Sequence, residues 1–534
     1  MKKQTYWLIP LTILFIFVLL NIDCKKPPLY DLAILNGKVV AGDGNPWYQA
    51  DIGIKNEKIT FIGKINPVEA KTTVNAEGLY ISPGFIDIHT HADRNIIKIP
   101  IANNYLLQGV TTVVGGNCGG HRYPLKEQFE TIEEQGIAIN FCSLAGHNSI
   151  RREVMGLKMA DPTPDELEQM ISLMEKEMKS GAVGFSTGLA YMPGRYSKTE
   201  ELMELAKVVG KYGGIYASHI RDQGKKITEA IEEAILIGEK NNLPVQISHI
   251  KLCIEPNWGK LEMIAAPIEE ARARGVEVFT DQYPYTATSS GFSSSFPAWS
   301  LEGGTEEFKK RLQSPDLYQK IKDHIIKARL VSEKGINKLQ SIYIGNYEKE
   351  RSWEGKNLEE ILKIQGKEAT IENGADLIIE IKKNGDASCV FFQMVEEDLD
   401  DIMRLNYNMV ASDGGIIEFE KGVPHCRSYG TFPRILHRYV NQKKVLTLEE
   451  AVKKMTSLPA QVLRLTDRGI IKKGMYADLV IFDLNTIKDK ATYQKPHQYP
   501  EGIKAVIVNG AIAAEDGQPS GQRPGKILYG PGKK

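Results

Sequence analysis

Between its two ends the chain repeats one order, an apolar strand-like run followed by a helical stretch. The runs end near His89, Cys118, Leu144, Ser186, His219, His249, Asp281 and Ser412. Helix-like segments follow, such as Thr199 to Tyr212 and Ile227 to Asn241. Strands joined through helices pair in parallel, and eight β-then-α units suggest a closed (β/α)8 barrel over residues 85–468. A ninth strand candidate, residues 388–393, does not fit that count. It is assigned to a long insertion after the seventh run, about residues 290–386, which turns charged and helical. A connection of that length is expected to be a lid or subdomain.

The flanks, residues 28–84 and 469–534, are strand-rich. Neither is long enough for a core of its own, so one small β-sandwich built from both chain ends is the economical expectation. Asn36-Gly37 and Asn509-Gly510 suit hairpins or tight turns. Residues 1–27 differ in kind. Lys2 and Lys3 precede an apolar run from Tyr6 to Leu20, and Lys25-Lys-Pro-Pro28 follows. A basic start with so short an apolar region reads as an export signal rather than a membrane span. Cys24 resembles the acylated cysteine of a bacterial lipoprotein, although Asp23 stands where a small residue is usual. An uncleaved anchor and cleavage elsewhere are the alternatives. The expected location is periplasmic or membrane-anchored, with the membrane touched through this segment alone.

Formal charge is zero, with 67 basic and 67 acidic residues, so nothing points to nucleic acid. The 6 cysteines are widely spaced in a large chain, and no structural disulfide is expected. Oligomeric state is not readable from the sequence.

The chemistry-bearing residues fall at strand ends. Phe85-Ile-Asp-Ile-His-Thr-His-Ala-Asp93 places His89 and His91 two apart, which on a strand means one face. Two adjacent imidazoles can hold a divalent metal, most plausibly zinc. His219 and His249 each end a run in Ser-His-Ile. Cys118 ends the second run among glycines, where a thiolate could approach a metal closely; a buried cysteine is otherwise a small apolar filler. Asp413 ends the last run, and barrel closure would bring it beside the first run's histidines. There a carboxylate could take a proton from water and return it to a leaving amine.

These motifs, from His-x-His through Gly-Asn-Cys-Gly to Ser-Asp-Gly, resemble the N-acyl-D-amino-acid deacylases of the amidohydrolase superfamily from about Tyr30 onward. Residues 181–194, 281–285 and 430–434 match as well. The resemblance implies one tight zinc on Cys118, His219 and His249. It implies a second, weaker or vacant position at His89 and His91, with Asp413 as general base and acid. It also implies contacts to a substrate carboxylate from Lys251, Tyr283, Ser289 and Arg427. The implied substrate is a small N-acyl-D-amino acid. A cyclic-amide hydrolase of hydantoinase or dihydroorotase type, and an exported binding protein that has lost catalysis, are the alternatives. The family usually has proline before the arginine, where this chain has Cys426 between His425 and Arg427.

Overall fold

Strands β1 (Phe85–Asp87), β2 (Val110–Gly115) and β3 (Asn140–Ser143) pair in parallel in the computed structural model, which describes residue 3 and residues 27–533. After Leu144, β3 resumes as Ala145–Gly146 and pairs with β4 (Gly184–Gly188). Strands β5 (Ile215–His219), β6 (Val245–Ile247), β7 (Val278–Gln282) and β8 (Asn408–Val410) continue the parallel order. A bridge from Thr90 to Gly414 closes the eight strands on themselves. Their residues are buried almost throughout, as a sheet covered by helices requires.

The covering helices are amphipathic and locally specified. Helix Pro164–Ser180 begins with a capping box, in which Thr163 Oγ1 accepts from Glu166 N–H at 3.2 Å and the Glu166 carboxylate accepts from Thr163 N–H at 2.7 Å. Pro164 opens it and Gly181, at φ 111°, ends it. Met170, Met174 and Met178 recur every four residues and face the core. Helices Thr199–Tyr212 and Ile227–Asn241 follow β4 and β5.

The chain between β7 and β8 forms a layer of its own. Ala287–Gly291 and Ile342–Asn346 flank Ser388–Phe392 in an antiparallel sheet, packed with Phe292, Phe296, Ile321, Ile344 and Ile378 in a separate apolar core. The excursion is therefore wider than residues 290–386, because its first and last strands pair with each other. Residues 388–392 belong to this sheet and not to the barrel.

Both chain ends meet in a nine-stranded sheet, where Tyr80–Pro83 pairs antiparallel with Leu479–Phe482. Hydrogen bonding is continuous through it, and one apolar cluster gathers Leu32, Ile34, Ile52, Ile81, Ile481 and Ile507. Asn509 and Gly510, at φ 46° and 79°, turn strand Ile503–Val508 into Ala511–Glu515. Asn36-Gly37 makes no hairpin. It forms a bulge inside the long strand Tyr30–Val39, with Asn36 at φ 61°. Residues 1–26, residue 3 aside, and with them Cys24, lie outside the described residues. Among those described, the five cysteines are free thiols and no helix is long and apolar enough to cross a membrane.

Asp478 ties the terminal sheet to the barrel. One carboxylate oxygen pairs with the Arg468 guanidinium and accepts from Asn140 Nδ2 at 3.0 Å, while the other accepts Asn509 N–H at 2.7 Å. Asn140 begins β3, so the clamp grips the end of the barrel away from the histidines. Asp478 and Arg468 are both buried. Removing one partner of such a pair leaves an uncompensated charge and costs about 3–5 kcal/mol. Asp478→Ala is expected to lower the unfolding free energy by that order and the denaturation midpoint with it. An unchanged midpoint in denaturant titrations would show that the clamp carries no stability.

Candidate metal centre

Strand β2 ends at Gly115, and the chain then doubles back tightly enough to require glycine. A Cβ on Gly116, at φ 73°, would stand 2.1 Å from Leu144 O, and one on Gly119, at φ 75°, 2.1 Å from Asn148 Oδ1. Cys118 between them is itself left-handed, at φ 52°. Asn117 Nδ2 donates to Val114 O at 3.0 Å and Ile88 O at 3.4 Å, tying this loop to the chain leading into His89. The outcome is a sulfur at the centre of the barrel mouth. Cys118 Sγ lies 3.4 Å from His89 Nε2, 3.6 Å from His219 Nδ1 and 3.5 Å from His249 Nε2.

Those separations fit a metal. Zinc–sulfur and zinc–nitrogen bonds of about 2.3 and 2.0–2.1 Å in a tetrahedron set sulfur-to-nitrogen edges of about 3.5–3.6 Å. Two donor groups share the sulfur: Cys118, His219 and His249, and Cys118, His89, His91 and Asp413. Within each group all donor atoms lie within 4.8 Å of one another.

His89 and His91 lie beyond the end of β1, so strand alternation is not what aims them. Their loop pairs with the loop after β8: His91 N–H donates to Gly414 O at 2.7 Å, and Asp413 N–H to His89 O at 2.9 Å. Asp413 Oδ1 then stands 3.2 Å from His91 Nε2 and 3.5 Å from His89 Nε2. Its Oδ2 lies 2.8 Å from the Arg427 guanidinium. Likewise β6 ends at Ile247, before His249 and Lys251. His249 is left-handed, at φ 36°, and the Lys251 side chain folds back so that Nζ lies 2.9 Å from His249 Nδ1.

Electrostatics follow from these contacts. Burial would raise the Cys118 thiol, but the positive field of His89 and hydrogen bonding to His219 and His249 hold it well below its ordinary value. Burial would also raise Asp413, yet Arg427 and hydrogen bonding to His91 hold it well below the usual carboxylate range. Burial, then Lys251 and His219, lower His249 to about 4, keeping it the neutral imidazole that a metal needs. Burial lowers Lys251 as well.

The remaining sequence-predicted residues surround this cluster. Tyr283 is buried, with Lys251 Nζ 5.5 Å and the Arg427 guanidinium 4.7 Å from its ring centre, and its hydroxyl has no protein partner. Ser289 lines both cavities that meet here. One, of about 850 Å³, reaches His91, Cys118, Asp413 and Arg427. The other, of about 340 Å³, reaches His219, His249, Lys251 and Tyr283. Cys426 has φ −63°, the value a proline would impose, so the backbone into Arg427 keeps its course without one. His425 anchors that turn, its Nε2 2.9 Å from Ala287 O and its Nδ1 accepting Arg427 N–H at 3.0 Å.

Three residues with clear roles here were not singled out from the sequence. Asp281 Oδ2 lies 3.3 Å from His89 Nδ1, and Oδ1 accepts the backbone N–H of His249 at 2.8 Å, so one carboxylate orients the His89 imidazole and fixes the main chain at His249. Its place at a strand end, like the histidines, was the available signal. Tyr191 packs its ring 4.5 Å from that of His219, and Gln223 Nε2 lies 3.1 Å from His249 Nδ1. Both sit on loops whose path the sequence does not disclose.

Comparison with known proteins agrees with this geometry. The amidohydrolase family model matches residues 72–317 and 410–514, and the unmatched interval, 318–409, covers most of the excursion between β7 and β8 and ends inside β8. The chain is 33% identical over 520 residues to the N-acyl-D-glutamate deacylase of Alcaligenes xylosoxydans xylosoxydans, covering 93% of this chain and 96% of that protein. It is 32% identical to the D-aminoacylase of the same organism, covering 93% and 97%. The crystal structure of the Bordetella bronchiseptica N-acyl-D-glutamate deacylase, complexed with zinc and a phosphonate mimic of the tetrahedral intermediate, superposes with a TM-score of 0.80 at 31% identity over 94% of this chain and 99% of that one. With this fold, this donor set and this degree of likeness over nearly its whole length, the chain belongs to the D-aminoacylase family of the amidohydrolase superfamily, hydrolases of carbon–nitrogen bonds.

Proposed function

We propose that this protein is a zinc-dependent hydrolase that cleaves the linear amide of N-acyl-D-amino acids, releasing a carboxylic acid and a D-amino acid. The observation that carries the reading is a Cys118 sulfur 3.4–3.6 Å from three imidazole nitrogens, with the Asp413 carboxylate alongside. Cys118, His219 and His249 would hold the tight ion, and His89 and His91 offer a second, weaker position. Zinc bound there supplies Lewis acidity to the acyl carbonyl and to water.

The chain's own residues divide the remaining work. Asp413 Oδ2 is engaged by Arg427, which leaves Oδ1 on the imidazole side. Oδ1 takes the proton of the attacking water as its oxygen adds to the carbonyl carbon. It returns that proton to the amine nitrogen as the carbon–nitrogen bond breaks. Lys251, Tyr283, Ser289 and Arg427 hold the α-carboxylate. A fixed carbonyl and a fixed carboxylate leave the side chain one permitted direction, which is the basis for selecting one hand. Cys118 as a ligand and the Lys251 and Arg427 cations favour an open-chain, carboxylate-bearing amide over a ring. The basic, then apolar, N-terminus supports an exported enzyme, either periplasmic or lipid-anchored.

Purified protein is expected to hold roughly one tight zinc per chain, and Cys118→Ala to lose it. Elemental analysis decides the matter, and undiminished zinc in the variant would remove Cys118 from the site. Asp413→Asn is expected to keep that zinc while kcat falls by roughly 10³–10⁴-fold, since an amide cannot accept the proton at either step. Zinc content and kcat belong on one preparation: near wild-type turnover would require another base, and zinc lost with activity would make Asp413 a structural ligand. Acetate release from paired N-acetyl-D- and N-acetyl-L-amino acids should favour the D series. Equal rates on substrates whose α-carboxylate is capped as an amide would contradict the clamp.

A further inference from the structure

Arg329 sits on the one-turn π-helix Ile326–Leu330 of the excursion between β7 and β8. Its guanidinium donates to Ser295 Oγ at 3.0 Å, Ser294 Oγ at 3.2 Å and Gln393 Oε1 at 3.4 Å, and packs 4.6 Å from the Phe391 ring centre. Every one of these partners is neutral. The ionisable groups that act on it are Cys253, Cys389 and Tyr191, and no carboxylate is among them. Burial lowers its pKa, yet a guanidinium stays charged at any pH a folded protein meets. Arg329 is half-buried, and a partly desolvated cation held by neutral partners alone is costly, a cost that a ligand supplying the missing charge would offset.

The cavity it faces says where that partner comes from. Arg329 lines the space of about 340 Å³ that also reaches His219, His249, Lys251, Tyr283 and Asp413. Lys338, Arg195 and Arg221 line the same space, Arg221 paired with Glu233, and among the described residues the only carboxylates lining it are Asp222 and Asp413. Asp413 is held by Arg427, and Asp222 accepts the backbone N–H of Gly224 at 2.7 Å and Lys226 at 3.1 Å. One α-carboxylate would satisfy Lys251, which reaches in from the loop after β6. Arg329, reaching in from a different element, is left over.

We propose that Arg329, with Ser294 and Gln393, forms a second anion subsite that receives a side-chain carboxylate on the amino-acid half of the substrate, so that N-acyl derivatives of acidic D-amino acids are preferred over neutral ones. The proposal rests on the deacylase reading above and names its substrate class. Bidentate recognition of a carboxylate is what a guanidinium does and an ammonium does not.

The test uses the zinc-loaded full chain with N-acetyl-D-glutamate, N-acetyl-D-aspartate, N-acetyl-D-leucine and N-acetyl-D-methionine. The wild-type kcat/KM should be higher for the two acidic substrates. Arg329→Gln should lower the acidic-to-neutral ratio of kcat/KM by roughly ten- to a hundredfold, mostly through KM, at unchanged zinc content, and Arg329→Lys should recover part of it. A wild-type preference for the neutral pair, or an equal loss on all four substrates in Arg329→Gln, overturns the subsite. If none of the four is hydrolysed, the deacylase reading falls, and calorimetric titration then decides the subsite separately. Tighter binding of N-acetyl-D-glutamate than of N-acetyl-D-leucine, lost in Arg329→Gln, supports it. Equal or undetectable binding of the two overturns it.

Discussion

Two backbone hydrogen bonds, from His91 N–H to Gly414 O at 2.7 Å and from Asp413 N–H to His89 O at 2.9 Å, join the loop after β1 to the loop after β8. They continue the parallel pairing past the ends of both strands, where side-chain alternation alone no longer controls direction. The same seam that closes the barrel therefore sets the spacing between two imidazoles and a carboxylate. Asp87 reinforces it from below, accepting Ser412 N–H at 3.0 Å. Asn117 reaches the backbone at Ile88 and brings the Cys118 loop to the same place. Barrel closure and site assembly are one event, so a change that loosens the seam costs stability and chemistry together.

The site also stores conformational strain. Cys118, His249 and Asp413 hold φ of 52°, 36° and 49°, a region in which residues with a side chain cost on the order of 1–3 kcal/mol each. All three are residues proposed to touch a metal or move a proton. What holds them is specific: the flanking glycines and Leu144 for Cys118, the Asp281 carboxylate for the His249 N–H, and the seam for Asp413. Each left-handed turn takes a side chain off the course its strand would give it and swings it over the barrel mouth. A metal binding there would repay part of that strain, which couples ion affinity to the stability of the three loops.

Much of this was legible in the chain because the barrel repeats. Periodic apolar runs marked the eight strands, and the residues at their ends marked the mouth: His89, Cys118, His219, His249 and Asp413 all converge there. What stayed hidden depended on contacts between distant segments or on local backbone sign. Asn36-Gly37 carries a turn signature, but the strands on both sides keep pairing past it, so it becomes a bulge. Ser388–Phe392 has a composition that suits any buried strand; the count of eight units already puts it in the excursion, and its antiparallel partners there are what the sequence does not disclose. Asp281 has the strand-end position of a ligand, but its work is to orient the His89 imidazole and fix the main chain at His249 from beneath, and no spacing rule distinguishes those roles. Arg329 is one arginine in a charged helical stretch until the fold shows that it has no acid to pair with.

The two halves of the site also differ in how they are built. The metal-side residues come from barrel strand ends, where eight strands and a buried core restrict movement. Ser289, Arg329 and Gln393 come instead from the excursion between β7 and β8, with its own sheet and its own apolar core. A separate core can repack, or exchange one lining residue for another, without disturbing the Cys118 cluster. With side-chain recognition in the separate layer, as proposed for Arg329, substrate preference could vary while the metal-side residues stay as they are. Arg329, a cation with no acid partner, lies in that separate layer, where a change of lining residue would leave the Cys118 cluster undisturbed.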